Sequence, residues 1–230
     1  SMFERTAQWL DASGADPAIV LYTQCRVVRN LADYPFPKQC TPEEKKTVEG
    51  NVLSVLTNMN FLSDGRYYTL PDIDETEAYF LRERELISQR LIESTGPRGV
   101  YVREDQSLSI SINDADHVSL IGIASGQQLS ELWNSTSLTD DTLAGILDFA
   151  FEDRRGYLTS RLADIGTGLT LSAVLHLPGL TMTNAISQYV NMTDKHTGGY
   201  QIVHAYPDNA QASGDLYRIS SIGTLGRSEM

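Results

Sequence analysis

The acids, bases and cations of this 230-residue chain gather in a few short stretches. Asn113-Asp114-Ala115-Asp116-His117 sets carboxyl groups beside an imidazole, a combination that either moves protons or pins the end of a strand. Arg161 has Asp164 close behind it and Asp208 farther along, so its guanidinium either closes a structural salt bridge or meets an anion. Gly166-Thr167-Gly168 is glycine-rich, but no lysine of the phosphate-binding loop type follows, and it reads as a tight backbone turn. His196 and His204 lack a carboxylate at ligand spacing, which argues against a metal site. Cys25 and Cys40 give neither a disulfide framework nor a metal-ligand spacing. Cys25, beside Arg26, reads as a small buried apolar group, against the alternative of a redox switch.

The elements that must position these groups are legible in the periodicity. Phe3 to Asp11 reads as a short helix stopped near Gly14. Thr41-Pro42-Glu43-Glu44 is a helix start, with Thr as N-cap, Pro in the first helical position and Glu three residues after the cap. Val48, Val52, Val55, Leu56 and Met59 then fall on one helical face. Ser63-Asp64-Gly65 turns into a strand over Arg66 to Leu70, and Asp74 to Ile92 is charged and helical. From Gly99 the period becomes two: Val100 and Val102, then Leu108, Ile110 and Ile112, alternate with polar residues around a turn at Glu104-Asp105. Val118 to Ile123 makes a third strand. Ser137 or Thr139 is expected to cap a helix running to Glu152, with Leu143, Ile146, Leu147, Ala150 and Phe151 as its apolar stripe. Leu171 to Leu177 reads as a strand, Pro178 to Val190 as a helix, and Tyr200 to Ala205 and Asp215 to Ser221 as closing strands. Strands joined as hairpins with helices packed outside predict an α+β fold built on an antiparallel sheet.

With 41% hydrophobic and 21% charged residues the chain suits a single domain able to bury a core. A formal net charge of −12 argues against a nucleic-acid partner and against anionic membranes. No apolar run of transmembrane length and no signal peptide is recognisable, so a cytoplasmic location is expected. The sequons at Asn134 and Asn191 carry no meaning without secretion, and Ser1-Met2 looks like a remnant of tag cleavage.

Several segments also carry a resemblance that covers nearly the whole chain. Gly156-Tyr157-Leu158-Thr159-Ser160-Arg161-Leu162-Ala163-Asp164-Ile165-Gly166-Thr167-Gly168, followed by His176-Leu177-Pro178, resembles the GYLTSCPTNVGTG…HLP core of the guanidino (phosphagen) kinases, most closely the bacterial protein-arginine kinases. Ile19 to Leu31 is similar to their VLSSRIRLARNL segment, with Tyr34-Pro35-Phe36-Pro37 following as their aromatic-proline turn. Asn113 to His117 is similar to N-E-E-D-H, and Gly214 to Glu229 to GNLFQISN…TLGKSE. The resemblance implies a curved, largely antiparallel sheet flanked by helices, with one phosphotransferase-like domain over 1–230. Within it a short helical part is expected over about 1–92 and a sheet core over about 93–230.

What the resemblance implies for chemistry is a departure from the family pattern. Phosphoryl transfer to a guanidinium needs cations on the triphosphate, carboxylates on the guanidinium and in-line clamping. The family's five phosphate-gripping arginines fall on Gln24, Arg26, Ser119, Thr170 and Val203, so Arg26 alone is kept. The histidine near the adenine falls on Glu85, the general-base glutamate on Ala115, the reactive cysteine on Arg161 and the mobile-loop carboxylate on Asp208. Asp114 is expected to point the wrong way to replace Ala115's missing carboxylate, since a one-residue shift in extended chain reverses the side chain. The expectation is a pseudokinase acting as a regulatory or scaffold protein, with no cofactor and no metal. Its partner would be a protein, an active kinase relative or an adaptor, and a homo-oligomer is compatible. The alternative is an active ATP:guanidino phosphotransferase using ATP and magnesium in a rearranged site, with Asp208, Asp114, Arg161 and Arg26 in new roles. A third reading has a small anion or carboxylate bound at Arg161.

Overall fold

A computed structural model describes residues 6–58, 62–190, 199–206 and 214–226. Its centre is β1 (Val20–Arg29), whose alternating residues serve two different faces. Cys25 and Val27 turn into the main core, while Gln24 and Arg26 turn to the opposite side. Antiparallel neighbours extend the sheet on both sides of β1. They are β2 (Gly65–Thr69), β3 (Gly99–Arg103), β4 (Leu108–Ile112), β5 (Val118–Ser125), β8 (Leu169–His176), β9 (Tyr200–His204) and β10 (Leu216–Ser221). The order across the sheet is β2-β3-β4-β5-β1-β8-β10-β9, with every neighbouring pair antiparallel. A separate short hairpin pairs β6 (Phe151–Glu152) with β7 (Gly156–Tyr157). The expected α+β class and large antiparallel sheet are present. The expected division near residue 92 is crossed by the sheet itself, because β1 and β2 both precede it.

One face of the sheet is covered by α1 (Pro42–Asn58) and α4 (Leu129–Ala144), which bury Val48, Val52, Leu132 and Leu143 against Val27, Ile110, Ile112, Val118 and Leu120. On the other face, α2 (Glu75–Glu83), α3 (Gln89–Glu93) and the chain between them bring Leu81, Leu86 and Leu91 onto Val100 and Val102. The serines that alternate along β4 are therefore buried as well, and Ser109 Oγ donates to the Leu86 carbonyl at 2.6 Å. The Ser109 hydroxyl has thus found an acceptor, while that of Ser111 has none among the described residues.

The start of α1 forms as its residues predict. Thr41 Oγ1 accepts the Glu44 N–H at 3.2 Å, and the Glu44 carboxylate accepts the Thr41 N–H at 2.7 Å. Replacing Thr41 by alanine should cost about 1 kcal/mol in chemical denaturation, whereas Thr41→Ser should change little. At the other end of the scale, Gly168 is held at φ +65 where a Cβ would sit 2.6 Å from the Val28 carbonyl oxygen, so this turn accepts no side chain.

Several expected elements differ. The helix placed over 137–152 lies earlier, at Leu129–Ala144, with Ser137 and Thr139 in its interior. Their hydroxyls, with those of Ser135, Thr136 and Thr142, donate back to carbonyls three or four residues earlier, so a serine-threonine run here needs no cap position. Gly145 closes the helix; Leu143 and Leu147 are buried, but Ile146 is 64% and Phe151 57% exposed. The helix over 74–92 is broken in two at Glu85, which adopts φ 60. The helix over 178–190 becomes α5 (Pro178–Met182) and α6 (Ser187–Val190), and of residues 3–11 the described part forms one 3-10 turn, Gln8–Leu10. Among the described residues no helix is long and apolar enough to cross a membrane.

Candidate functional site

The face of the sheet opposite α1 and α4 forms the floor of a cleft of about 440 Å³. Period two along the strands aims Gln24 and Arg26 of β1, Ser119 of β5, Thr170 and Ser172 of β8, and Arg218 and Ser220 of β10 into it. Glu85 and Ser88 close one side from the break between α2 and α3, with Arg90 on the first turn of α3. Asp114 and Ala115 come from the β4–β5 turn, and Arg161, Ala163 and Asp164 from the loop after β7. The structure thus brings Gln24, Arg26, Glu85, Ala115, Ser119, Arg161 and Thr170 into one cavity. Val203 lies on β9 directly opposite Arg218 and outside the cavity wall. Asp208 lies outside the described residues, as does His196.

Two ionic groups organise the cleft. Arg218 Nη2 meets Glu85 Oε1 at 2.9 Å, with both side chains 18% exposed. The Tyr22 hydroxyl donates to the same carboxylate at 3.0 Å and stands 3.1 Å from Arg218 Nη2, while Arg218 Nη1 donates to Gln24 Oε1 at 3.3 Å. The Tyr206 hydroxyl joins Tyr22 at 3.2 Å. Burial, then the Glu85 charge, pushes the Tyr22 phenol far above its ordinary range, so it remains a neutral donor. In the second group, Asp164 Oδ2 receives Arg26 Nη1 at 3.4 Å and Arg161 Nε at 3.8 Å. The expected pairing of Arg161 with Asp164 is present, and Arg26 shares the same oxygen.

Behind these side chains is a buried polar frame. Asp116 Oδ1 accepts from Asn30 Nδ2 and from the Ser160 N–H, both at 2.7 Å. Asn30 Oδ1 accepts the His117 N–H at 2.9 Å, and His117 Nδ1 accepts the Leu31 N–H at 3.1 Å. Asp116 and His117 therefore tie the 113–117 turn and the loop before Arg161 to the end of β1, and neither lines the cleft. Burial lowers the His117 pKa to about 4, so the ring is neutral at physiological pH. Cys25 is fully buried in the main core.

Asp114 needs a correction. Residues 113–117 are a turn, with Asn113 at φ 59, and the alternation that holds for extended chain does not apply to them. Asp114 reaches the cleft, accepts from Ser88 Oγ on Oδ2 at 2.8 Å, and leaves Oδ1 buried without a partner. Burial pushes its carboxyl above the usual range. Reading the sequence also passed over two cations, Arg90 and Arg218. Arg218 stands where the similar family motif GNLFQISN has glutamine, while Glu85 stands where the family has histidine. Those two departures carry opposite charge, and that was the available signal. Among the described residues, no group of three His, Cys, Asp or Glu is arranged to hold a metal ion.

This geometry agrees with what the chain is similar to. The model of the ATP:guanido phosphotransferase C-terminal catalytic domain matches residues 47–230. The protein-arginine kinase of Pelotomaculum thermopropionicum is 34% identical over 226 residues, covering 97% of this chain and 63% of that protein. The protein-arginine kinase of Halalkalibacterium halodurans is 35% identical over 233 residues, covering 98% and 63%. The chain thus spans less than two thirds of these relatives. Among solved structures, a lombricine kinase superposes with TM-score 0.79 at 22% identity, over 98% of this chain and 66% of that one. The duplicated taurocyamine kinase from Schistosoma mansoni with bound transition state analog components superposes with TM-score 0.78 at 20% identity, over 100% and 32%. With this sheet, this cleft and these relatives, the chain belongs to the ATP:guanido phosphotransferase family.

Proposed function

We propose that this chain is a catalytically degenerate member of the family, a pseudokinase that works as a regulatory or scaffold protein in the cytoplasm. Its partner would be a protein, an active relative or an adaptor, and neither ATP nor magnesium would be its resident ligand. The observation that carries this reading is the state of the phosphate grip. Gln24, Ser119, Thr170 and Val203 hold positions where the family has arginine, and the retained Arg26 is engaged by Asp164. A charge-assisted contact contributes roughly 1.5–3 kcal/mol, so four losses remove about 6 kcal/mol at the low end, or about four decades of affinity. Non-additivity trims that figure without reversing it. The adenine side has changed as well: the Glu85–Arg218 ion pair stands where the family pattern has a histidine.

The alternative, an active phosphotransferase with a rearranged site, has one observation in its favour: Asp114 lines the cleft, and burial pushes its carboxyl above the usual range. The two readings separate in one experiment. Radiolabelled ATP with magnesium and an arginine-rich acceptor should give no acid-labile phosphate above a heat-killed control. Ala115→Glu should stay equally silent, because a base without a held nucleotide has nothing to act on. Turnover by the unmodified chain would overturn the pseudokinase reading. Turnover lost on Asp114→Asn would assign the base.

A further inference from the structure

Around Arg161 the cleft has changed sign relative to the family pattern. Alanine at 115 removes a carboxylate, and arginine at 161 adds a cation where a thiol is expected. Both residues line the same cavity. The charge left behind is visible in the hydrogen bonding. A guanidinium carries five N–H donors. Arg26 and Arg161 both meet Asp164 through one oxygen, at 3.4 and 3.8 Å, and Asp114 is a further acid near Arg26. Good charge-assisted contacts lie near 2.7–2.9 Å, so both forks keep most of their donor capacity unspent.

We infer that the subsite between Arg26 and Arg161 accepts a compact oxyanion, a phosphate or carboxylate group, with Arg161 supplying a cation that the family pattern lacks there. Arg161 is 57% exposed and can swing onto a ligand, while Arg26 is held on the cleft floor. Thr170, register partner of Arg26, and Ser119 line the same cavity with neutral hydroxyls able to complete the oxyanion's shell. Three acids line the cavity, and Glu85 is held by Arg218. Asp164 is the one the two arginines share. Asp114 sits beside Arg26, and burial drives its carboxyl toward the neutral form, which weakens its repulsion of an anion.

The inference goes beyond the pseudokinase reading and is tested without nucleotide. Inorganic phosphate titrated by calorimetry at constant ionic strength should bind saturably, with a dissociation constant on the order of 1 mM. Arg161→Gln should weaken it by roughly 10- to 100-fold, the worth of one charge-assisted contact. Arg161→Lys should fall between, keeping the charge and losing the fork. Arginine should neither bind nor displace phosphate. Acetate in a parallel titration tells which oxyanion is preferred, and either preference supports the subsite. Phosphate that fails to saturate, equal affinity in Arg161→Gln, or displacement by arginine would each overturn it. Arg161 is exposed enough for these variants to fold, and their melting curves verify it. Turnover with ATP would sink the pseudokinase reading and leave this titration unaffected.

Discussion

Replacing Arg29 with methionine should lower the free energy of unfolding by about 3–5 kcal/mol. Arg29 is fully buried, and its guanidinium joins four parts of the fold. Nη2 meets Asp140 of α4 at 2.5 Å, and Nη1 donates to the Thr167 carbonyl at 2.6 Å and the Val28 carbonyl at 3.0 Å. Its face stacks 3.6 Å from the centroid of the Tyr157 ring on β7. Methionine keeps the volume and removes the charge, which leaves Asp140 buried without its cation. Burial already holds the Asp140 carboxyl above the usual carboxylate range, with Arg29 pulling the other way. Desolvation therefore dominates this pair, and removing both charges should cost far less than removing one. A double-mutant cycle with Arg29→Met and Asp140→Leu in urea checks this. Additive losses would mean that the charges do not interact.

The second large effect depends on pH. The His117 ring is neutral in the folded chain, with its pKa lowered to about 4 by burial, against 6.5 when unfolded. Its neutral form accepts the Leu31 N–H, and its Nε2 lies 3.6 Å from Cys40 Sγ. Below the unfolded pKa the unfolded chain binds the extra proton, so stability falls as pH drops from about 6.5 to about 4, by about 3 kcal/mol over the window. Asp114 and Asp140 have raised folded pKa values and act with the opposite sign: their contribution grows as pH falls. The comparison that isolates the ring is therefore the wild type against His117→Asn, which keeps an acceptor for Leu31 and cannot titrate. The variant should start less stable and lose less on acidification. Parallel pH profiles for the two proteins would remove His117 as the cause.

Much of the fold was legible because its signals are local. The Thr41 cap, the alternation through β3, β4 and β5, and the run of motifs from Ile19 to Leu225 act over a few residues each. What misled were places where tertiary contacts override local pattern. Ser137 and Thr139 resemble caps and instead bond within a helix already under way. Ile146 and Phe151 fit an apolar stripe, but Gly145 ends the helix before them. In the site, Gln24, Ser119, Thr170 and Arg161 line one cavity with Arg26. Asp114 departs from the expected direction because a turn does not alternate. Arg218 was passed over because its meaning depends on Glu85, 133 residues away in sequence.

The Glu85–Arg218 pair also constrains history. In the family pattern these positions carry histidine and glutamine. An arginine arriving first would have faced a histidine with no acid to meet it. A glutamate arriving first could be held at once by the Tyr22 hydroxyl and the glutamine amide. Physical chemistry therefore orders the two substitutions, acid before base. Once both are in place, losing Glu85 first strands the Arg218 guanidinium in a site where both side chains are 18% exposed, whereas losing Arg218 first leaves the glutamate to the Tyr22 hydroxyl. The way back therefore runs in the reverse order, base before acid, and loss of Glu85 ahead of Arg218 is the step this site resists.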